Sequence, residues 1–291
     1  MDGHREQRKP IQQRMLIDSH QHFWQIGQHG HAWPTPELAP IYRDFGVEDL
    51  AAESSSTGLG GSVVVQSQPS AADTDWLLRL ASQHALIKGV VGWVDFESSG
   101  VASRLAQLAR DSKFKSVRPM LQALPDDNWI LRESMQAALA TMVELDLRFD
   151  ALVFTRHLTA IAELARRWPQ LQIVIDHAAK PPIAQRDEQA TLQWQAALAK
   201  VAEFSNVSCK LSGLFTEMSA EQSTDEAIPY AEYVINTFGA DRVIWGSDWP
   251  VLTLRDTYQR WLAWTLQRIA QLNAPQQVGI MGGNAQRFYK L

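Results

Sequence analysis

Met15-Leu16-Ile17-Asp18-Ser19-His20-Gln21-His22-Phe23-Trp24 is the stretch from which the fold of this chain is read. The apolar run from Met15 to Ile17 reads as a short buried strand, and it ends in two histidines one residue apart. Alternate residues of a strand share a face. His20 and His22 therefore point together off one strand end, where two imidazoles could hold one metal. An isolated His-x-His is more often a polar pair at a strand-loop junction. Its meaning depends on whether later strands also end in ligands.

Working outward, apolar runs rich in β-branched residues alternate with Ala- and Leu-rich helical stretches. After the first strand comes a long loop, Gln25 to Tyr42, made irregular by Pro34, Pro36 and Pro40. Further strands are predicted at Ser62–Gln66, Ile87–Val94, Lys115–Arg118, Leu147–Val153, Leu171–His177, Val207–Leu211 and Val243–Asp248. Helices are predicted at Val47–Glu53, Asp73–His84, Val101–Arg110, Ser134–Glu144, Leu158–Arg167, Leu192–Glu203, Ala227–Phe238 and Thr257–Leu272. Near-continuous apolar strands between amphipathic helices imply a parallel sheet covered on both faces. Eight such units close most economically into a (β/α)8 TIM barrel, here a distorted single domain over residues 14–291. A doubly wound open sheet is the alternative, but no Gly-x-Gly-x-x-Gly follows the first strand.

At 291 residues the chain can bury a sizeable core, and its net charge of −5 argues against a dedicated nucleic-acid surface. The lone Cys209 excludes an intrachain disulfide framework and fits a reducing compartment. No stretch approaches the ~20 apolar residues of a membrane span. Residues 1–13 are polar, lack the apolar core of a signal peptide and read as a flexible extension, with Met15 an alternative initiator. The expectation is a cytoplasmic enzyme without nucleic-acid or membrane partners.

In such a barrel the active site lies where the strands end. The first strand supplies His20 and His22, the fourth Arg118, the sixth His177 with Lys180 just beyond, the seventh Lys210, and the eighth Asp248 followed by Trp249. Any one of these could be a solvated loop residue. Gathered at one end of an apolar barrel, His20, His22, His177 and Asp248 form a candidate catalytic and metal-binding set. Arg118 and Lys210 also suit structural ion pairs under the rim. Trp24, Trp33 and Trp249 could stack on a substrate ring or simply pack. His29 and His31 read as solvated loop residues, and His84 as a helix end on the opposite face. Asp73/Asp75 and Asp126/Asp127 read as helix-start or loop charges.

The motifs Ile17-Asp18-Ser19-His20-Gln21-His22-Phe23-Trp24, Val174-Ile175-Asp176-His177-Ala178-Ala179-Lys180-Pro181-Pro182, Cys209-Lys210-Leu211-Ser212-Gly213-Leu214 and Ile244-Trp245-Gly246-Ser247-Asp248-Trp249-Pro250-Val251 resemble those of the amidohydrolase superfamily. So does the ending Gly282-Gly283-Asn284-Ala285-Gln286-Arg287-Phe288-Tyr289. Within it the chain is similar to the "amidohydrolase 2" group of lactone hydrolases. Trp33 to Phe45 and Val117 to Gln122 look most like L-fuconolactone hydrolases. The resemblance implies that the first-strand histidine pair is His20 and His22, the sixth-strand histidine His177 and the eighth-strand aspartate Asp248. Many superfamily members bridge two metals through a fourth-strand lysine and a fifth-strand histidine. Here Arg118, a poor ligand, ends the fourth strand, and the fifth offers nothing before His157, read as a helix start capped by Thr155. One divalent metal at most is expected, Zn²⁺ by preference, and metal dependence varies within the group.

The implied reaction is hydrolysis of a sugar-acid lactone, L-fuconolactone or a related aldonolactone, to the open-chain aldonate. Asp248 would activate water. A metal on His20, His22 and His177 would acidify that water or polarise the carbonyl. Without it, protonated His177 or His22 would stabilise the oxyanion. Arg118, Lys210 and Lys180 would bind the polar groups of the substrate, and Trp24, Trp33 and Trp249 its apolar face. Metal-dependent decarboxylation is the alternative, because the superfamily includes lyases with a similar metal cage.

Overall fold

Each apolar run becomes a strand of one eight-stranded parallel sheet, ordered β1 to β8 as in the sequence, in the computed structural model, which describes residues 16–291. The predicted flexible extension and Met15 as initiator lie outside the described residues. The strands are β1 Leu16–Gln21, β2 Leu59–Val65, β3 Ile87–Gly92, β4 Phe114–Val117, β5 Arg148–Ala151, β6 Ile173–Ile175, β7 Val207–Leu211 and β8 Val243–Trp245. The main helices are α1 Val47–Glu53, α2 Ala71–Gln83, α3 Val101–Leu108, α4 Gln136–Glu144, α5 Leu158–Arg167, α6 Glu188–Ala202, α7 Ile228–Phe238 and α8 Tyr258–Ile269. The helices form because apolar positions recur at helical spacing and their starts are capped. In α5, Leu158, Ile161, Leu164 and Ala165 are buried, while Glu163 pairs with Arg166 and Arg167 on the wet face. Side chains of Ser70, Asp187 and Thr257 accept the first free backbone N–H groups of α2, α6 and α8.

Alternation within the strands sorts the core into two regions. Val64, Ile173, Ile175, Val243 and Trp245 face the helices, whereas Ile17, Val63, Val65, Val91, Val174 and Ile244 fill the barrel interior. The eighth helix is the last element predicted from the sequence. Beyond it the chain forms α9 Ala274–Val278, a π turn over Gly279–Gly283 and α10 Asn284–Tyr289. Ala285, Phe288 and Tyr289 of α10 join the interior cluster and plug the barrel from the end where the strands begin. A helix was not legible there because Pro275, Gly279 and the pair Gly282-Gly283 interrupt any apolar period.

Between β8 and β1 the pairing is a single bridge, Gln21 to Trp249. It is reinforced where the site will sit: Asp248 N donates to His20 O at 2.7 Å and His22 N to Trp249 O at 2.8 Å. Just below, the Asp18 carboxylate accepts from Ser247 N at 2.9 Å and Ser247 Oγ at 2.5 Å. Gly246 is required at this seam, because a Cβ there would lie 2.7 Å from that of His20. Among the described residues no helix is long and apolar enough to cross a membrane.

Candidate active site

His20 and His22 end β1 on one face, as their spacing demands, and their Nε2 atoms lie 3.1 Å apart. His22 Nδ1 is 2.8 Å from the carbonyl of Val65, so this nitrogen carries the proton and Nε2 presents its lone pair. Asp248 Oδ1 lies 3.4 Å from His22 Nε2, 3.7 Å from His20 Nε2 and 3.8 Å from His177 Nε2. All four side chains are at most 7% exposed.

His177 reaches this cluster by an unusual backbone. The sixth strand, expected to run to His177, stops at Ile175, and His177, Ala178, Ala179 and Lys180 have φ of 51°, 51°, 59° and 52°. Left-handed non-glycine residues cost about 1–2 kcal/mol each, so surrounding contacts must hold the turn. Trp194 Nε1 donates to Ala178 O at 2.8 Å, and His177 Nδ1 meets Ser212 Oγ at 2.9 Å. Gly213 lets β7's loop approach: its φ is +66°, and a Cβ would lie 2.5 Å from His177 Nδ1. Asp248 is also left-handed, at φ 59°.

Electrostatics set the protonation states. Burial drives His177 down to about 4, against the opposing pull of Asp248 and Asp176. Burial thus favours the neutral imidazole at neutral pH. Burial and then Lys210 hold His20 well below the ordinary imidazole value. Burial alone would raise Asp248, but His177, His22 and His20 outweigh it and keep its carboxyl below the usual range.

The donors fit one small divalent cation. Nε2 of His20, Nε2 of His22 and Oδ1 of Asp248 are 3.1, 3.4 and 3.7 Å apart. That is near the ~3.4 Å tetrahedral edge around an ion ~2.1 Å from each ligand. His177 falls in a second cluster, with His20 and Asp176, rather than in this trio.

Below the histidines lies a polar layer, the ion pairs under the rim that Arg118 and Lys210 also suited, with Asp150 and Asp176 as partners not foreseen. Lys210 has no exposure, and its ammonium lies 2.6 Å from Asp150 Oδ2, 2.9 Å from Asp176 Oδ1 and 3.0 Å from His20 Nδ1. Its expected place at the substrate is thus corrected: it stands inside the barrel, one layer under the pocket. Asp150 and Asp176 sit at inward parity within apolar runs, and that isolated charge was the available signal. Burial would raise Asp176, but Lys210, His20 and Arg118 hold it well below its ordinary value. Two aspartates against Lys210 and Arg118 leave the layer without net charge, which such burial requires.

Arg118 caps this layer and faces the cavity. Its Nη1 is 3.4 Å from Asp176 Oδ2 and 3.5 Å from His20 Nε2, and Nη2 donates to Gln66 O. Its buried Nε has no partner among the described residues. The cavity, about 390 Å³, is bordered by His22, His177, Asp248, Arg118, Trp33, Lys180, Glu217, Gln68 and Gln122. Gln122 Oε1 is buried and likewise without a partner among the described residues. Gln68 bonds to the backbone of Ala32 and Trp33, pinning the Pro-rich loop so that Trp33 forms a wall. Lys180 Nζ pairs with Glu217 Oε1 at 3.7 Å beside a second cavity of about 360 Å³ that both residues share.

Other expectations are corrected. Trp24 and Trp249, 1% and 2% exposed, do not border this cavity. Trp24 packs edge-on against Trp33 and Phe45, and Trp249 against Phe23 and Phe45. His157 is not capped by Thr155; its own Nδ1 accepts Phe154 N–H at 3.0 Å. His29, read as a loop residue, stacks on Trp76 and does not border the cavity.

A family model described as amidohydrolase matches residues 17–291. The chain is 46% identical over 279 residues to an L-fucono-1,5-lactonase of Burkholderia ambifaria, covering 94% of this chain and 95% of that one. It is 34% identical to an L-fucono-1,5-lactonase of Burkholderia multivorans, covering 95% and 96%. An amidohydrolase from Burkholderia multivorans, crystallised with bound zinc, superposes with a TM-score of 0.89 at 31% identity, covering 95% of this chain and 99% of that one.

Proposed function

Because the chain belongs to the amidohydrolase family, we propose that its pocket opens a sugar-acid lactone, L-fucono-1,5-lactone or a related aldonolactone, by adding water to the ring carbonyl. The observation that carries this reading is Asp248, an ionised carboxylate 3.4–3.8 Å from three imidazole nitrogens at the base of a cavity large enough for a sugar ring. The 46% identity to a lactonase over nearly the whole chain supports it.

Ester hydrolysis needs a deprotonated water, a polarised carbonyl and a proton for the departing ring oxygen. Asp248 takes a proton from water and returns it to the leaving alkoxide. A carboxylate this acidic is a weak base, so the reaction depends on groups that stabilise the negative charge forming on the carbonyl oxygen. Arg118, with its fixed charge at the cavity wall, fills that role. A divalent ion held by His20, His22 and Asp248 would supply Lewis-acid polarisation as well. Neutral His177, oriented by Ser212, keeps Asp248 placed and offers Nε2 to the reacting water. Trp33 packs on the apolar face of the sugar, while Lys180, Glu217 and Gln122 meet its hydroxyls and the new carboxylate.

Lactone opening releases one proton per turnover. A weakly buffered pH-indicator assay over L-fuconolactone and other aldonolactones should show acceleration. In that assay Asp248→Asn should lose roughly 10²–10⁴-fold in kcat. A panel with no acceleration would overturn the reading. Decarboxylation, the alternative, would instead release CO₂, which manometry separates.

A further inference from the structure

We propose that Tyr289, from the last helix, is a positioning residue for His20, acting up the barrel axis through Asp150 and Lys210. Tyr289 has 1% exposure and plugs the barrel beside Phe288. Packing alone would be served by a second phenylalanine, and a buried hydroxyl must find a partner. Its partner is Asp150 Oδ2, at 2.7 Å. The same oxygen takes Lys210 Nζ at 2.6 Å, and Ser116 Oγ donates to Oδ1 at 2.5 Å. The Lys210 ammonium lies against three groups, Asp150 Oδ2, Asp176 Oδ1 at 2.9 Å and His20 Nδ1 at 3.0 Å, and His20 Nδ1 is itself 3.4 Å from Asp176 Oδ1.

The column is balanced at Asp150. Tyr289 and Ser116 spread its charge over two hydroxyl donors, which leaves Lys210 free to serve Asp176 and His20 as well. Removing the Tyr289 hydroxyl leaves Oδ2 to the ammonium alone, and the ammonium is drawn down the axis. The Nδ1 side of His20, shared by Lys210 and Asp176, then loses the contact that fixes the ring, while nothing bordering the cavity is touched. His20 does not border the cavity, so substrate binding is spared and the chemical step is not.

This inference rests on the lactonase reading, and the experiment keeps the two apart. Steady-state kinetics and thermal melts are measured on the full chain and on Tyr289→Phe, Ser116→Ala, their double variant and Phe288→Leu. In Tyr289→Phe, kcat should fall by about tenfold with KM unchanged, as for loss of an orienting hydrogen bond behind a site residue. Ser116→Ala, which strips the other oxygen of the same carboxylate, should give the same split. The double variant should lose less than the product of the single losses. Phe288→Leu, at the same plug without a hydroxyl, should lower Tm while leaving kcat as in the wild type. Wild-type kcat in Tyr289→Phe, or an equal kcat loss in Phe288→Leu, would overturn the proposal. If Tyr289→Phe fails to fold, wild-type kcat in Ser116→Ala overturns it instead. A wild type without lactonase activity would sink the underlying reading rather than the column.

Discussion

Lys210 is a charge with no water, and its variants should behave accordingly. A residue that merely met substrate would raise KM on truncation and leave stability alone. Lys210→Met instead strands Asp150 and Asp176, and breaking a buried pair costs about 3–5 kcal/mol. Urea unfolding should show that loss; a small loss with raised KM would restore the substrate-contact role. Asp73 is the second informative residue. It accepts Ser67 N and Gln68 N at 3.0 and 3.2 Å, at the start of α2. Burial nevertheless raises its carboxyl from 3.8 to about 7, outweighing those bonds and Arg118. Between these values the folded chain binds more protons than the unfolded one. The contribution is therefore complete below pH 3.8 and lost as pH rises through about 7, at roughly 1.4 kcal/mol per pH unit. Asp73→Asn should gain stability relative to wild type between pH 5 and 8, and parallel stability curves would contradict this.

At the scale of elements, the turn after β6 and the loop after β7 work as one device. Gly213→Ala would force a methyl to within 2.5 Å of His177 Nδ1 at a φ of +66°. We expect a loss of roughly 1–3 kcal/mol in stability from strain and displacement, and a fall in kcat because His177 must move. An unchanged kcat would show that His177's place is not critical. Ser247→Ala removes the side-chain donor that joins β8 to Asp18 of β1, and should cost about 1–3 kcal/mol, read by thermal melting. The strands and helices were legible because apolar period and β-branched content report burial directly, as in Ile173-Val174-Ile175. The ends were less so: no local pattern announces four consecutive left-handed residues, so His177 reads as a strand continuation. The histidines and Asp248 were legible as a group because strand ends converge in a closed barrel. The roles of Lys210, Trp24 and Trp249 were not, since chemistry at a strand end does not say whether a side chain points into the pocket, below it or behind it.

For the whole molecule, the site is where the barrel closes, so ligand and fold are linked. A divalent ion held by His20, His22 and Asp248 would bind the folded chain alone. Zinc at a hundred times its Kd should add about 2.7 kcal/mol of stability, seen as a rise in Tm that chelator reverses and His22→Ala abolishes. A Tm indifferent to zinc would argue against that ligand set. The seam between β8 and β1 has another consequence, felt during synthesis. Asp18 leaves the ribosome 229 residues before Ser247, the partner that staples it. At ~5–20 residues per second that is a wait of roughly ten to fifty seconds. Throughout it β1 has one bare edge, since its partner near Trp249 is not yet made. An unpaired edge of this kind invites other chains. The nascent protein thus passes through a long-lived open form, whose handling by chaperones bears on yield as much as the stability of the finished barrel does.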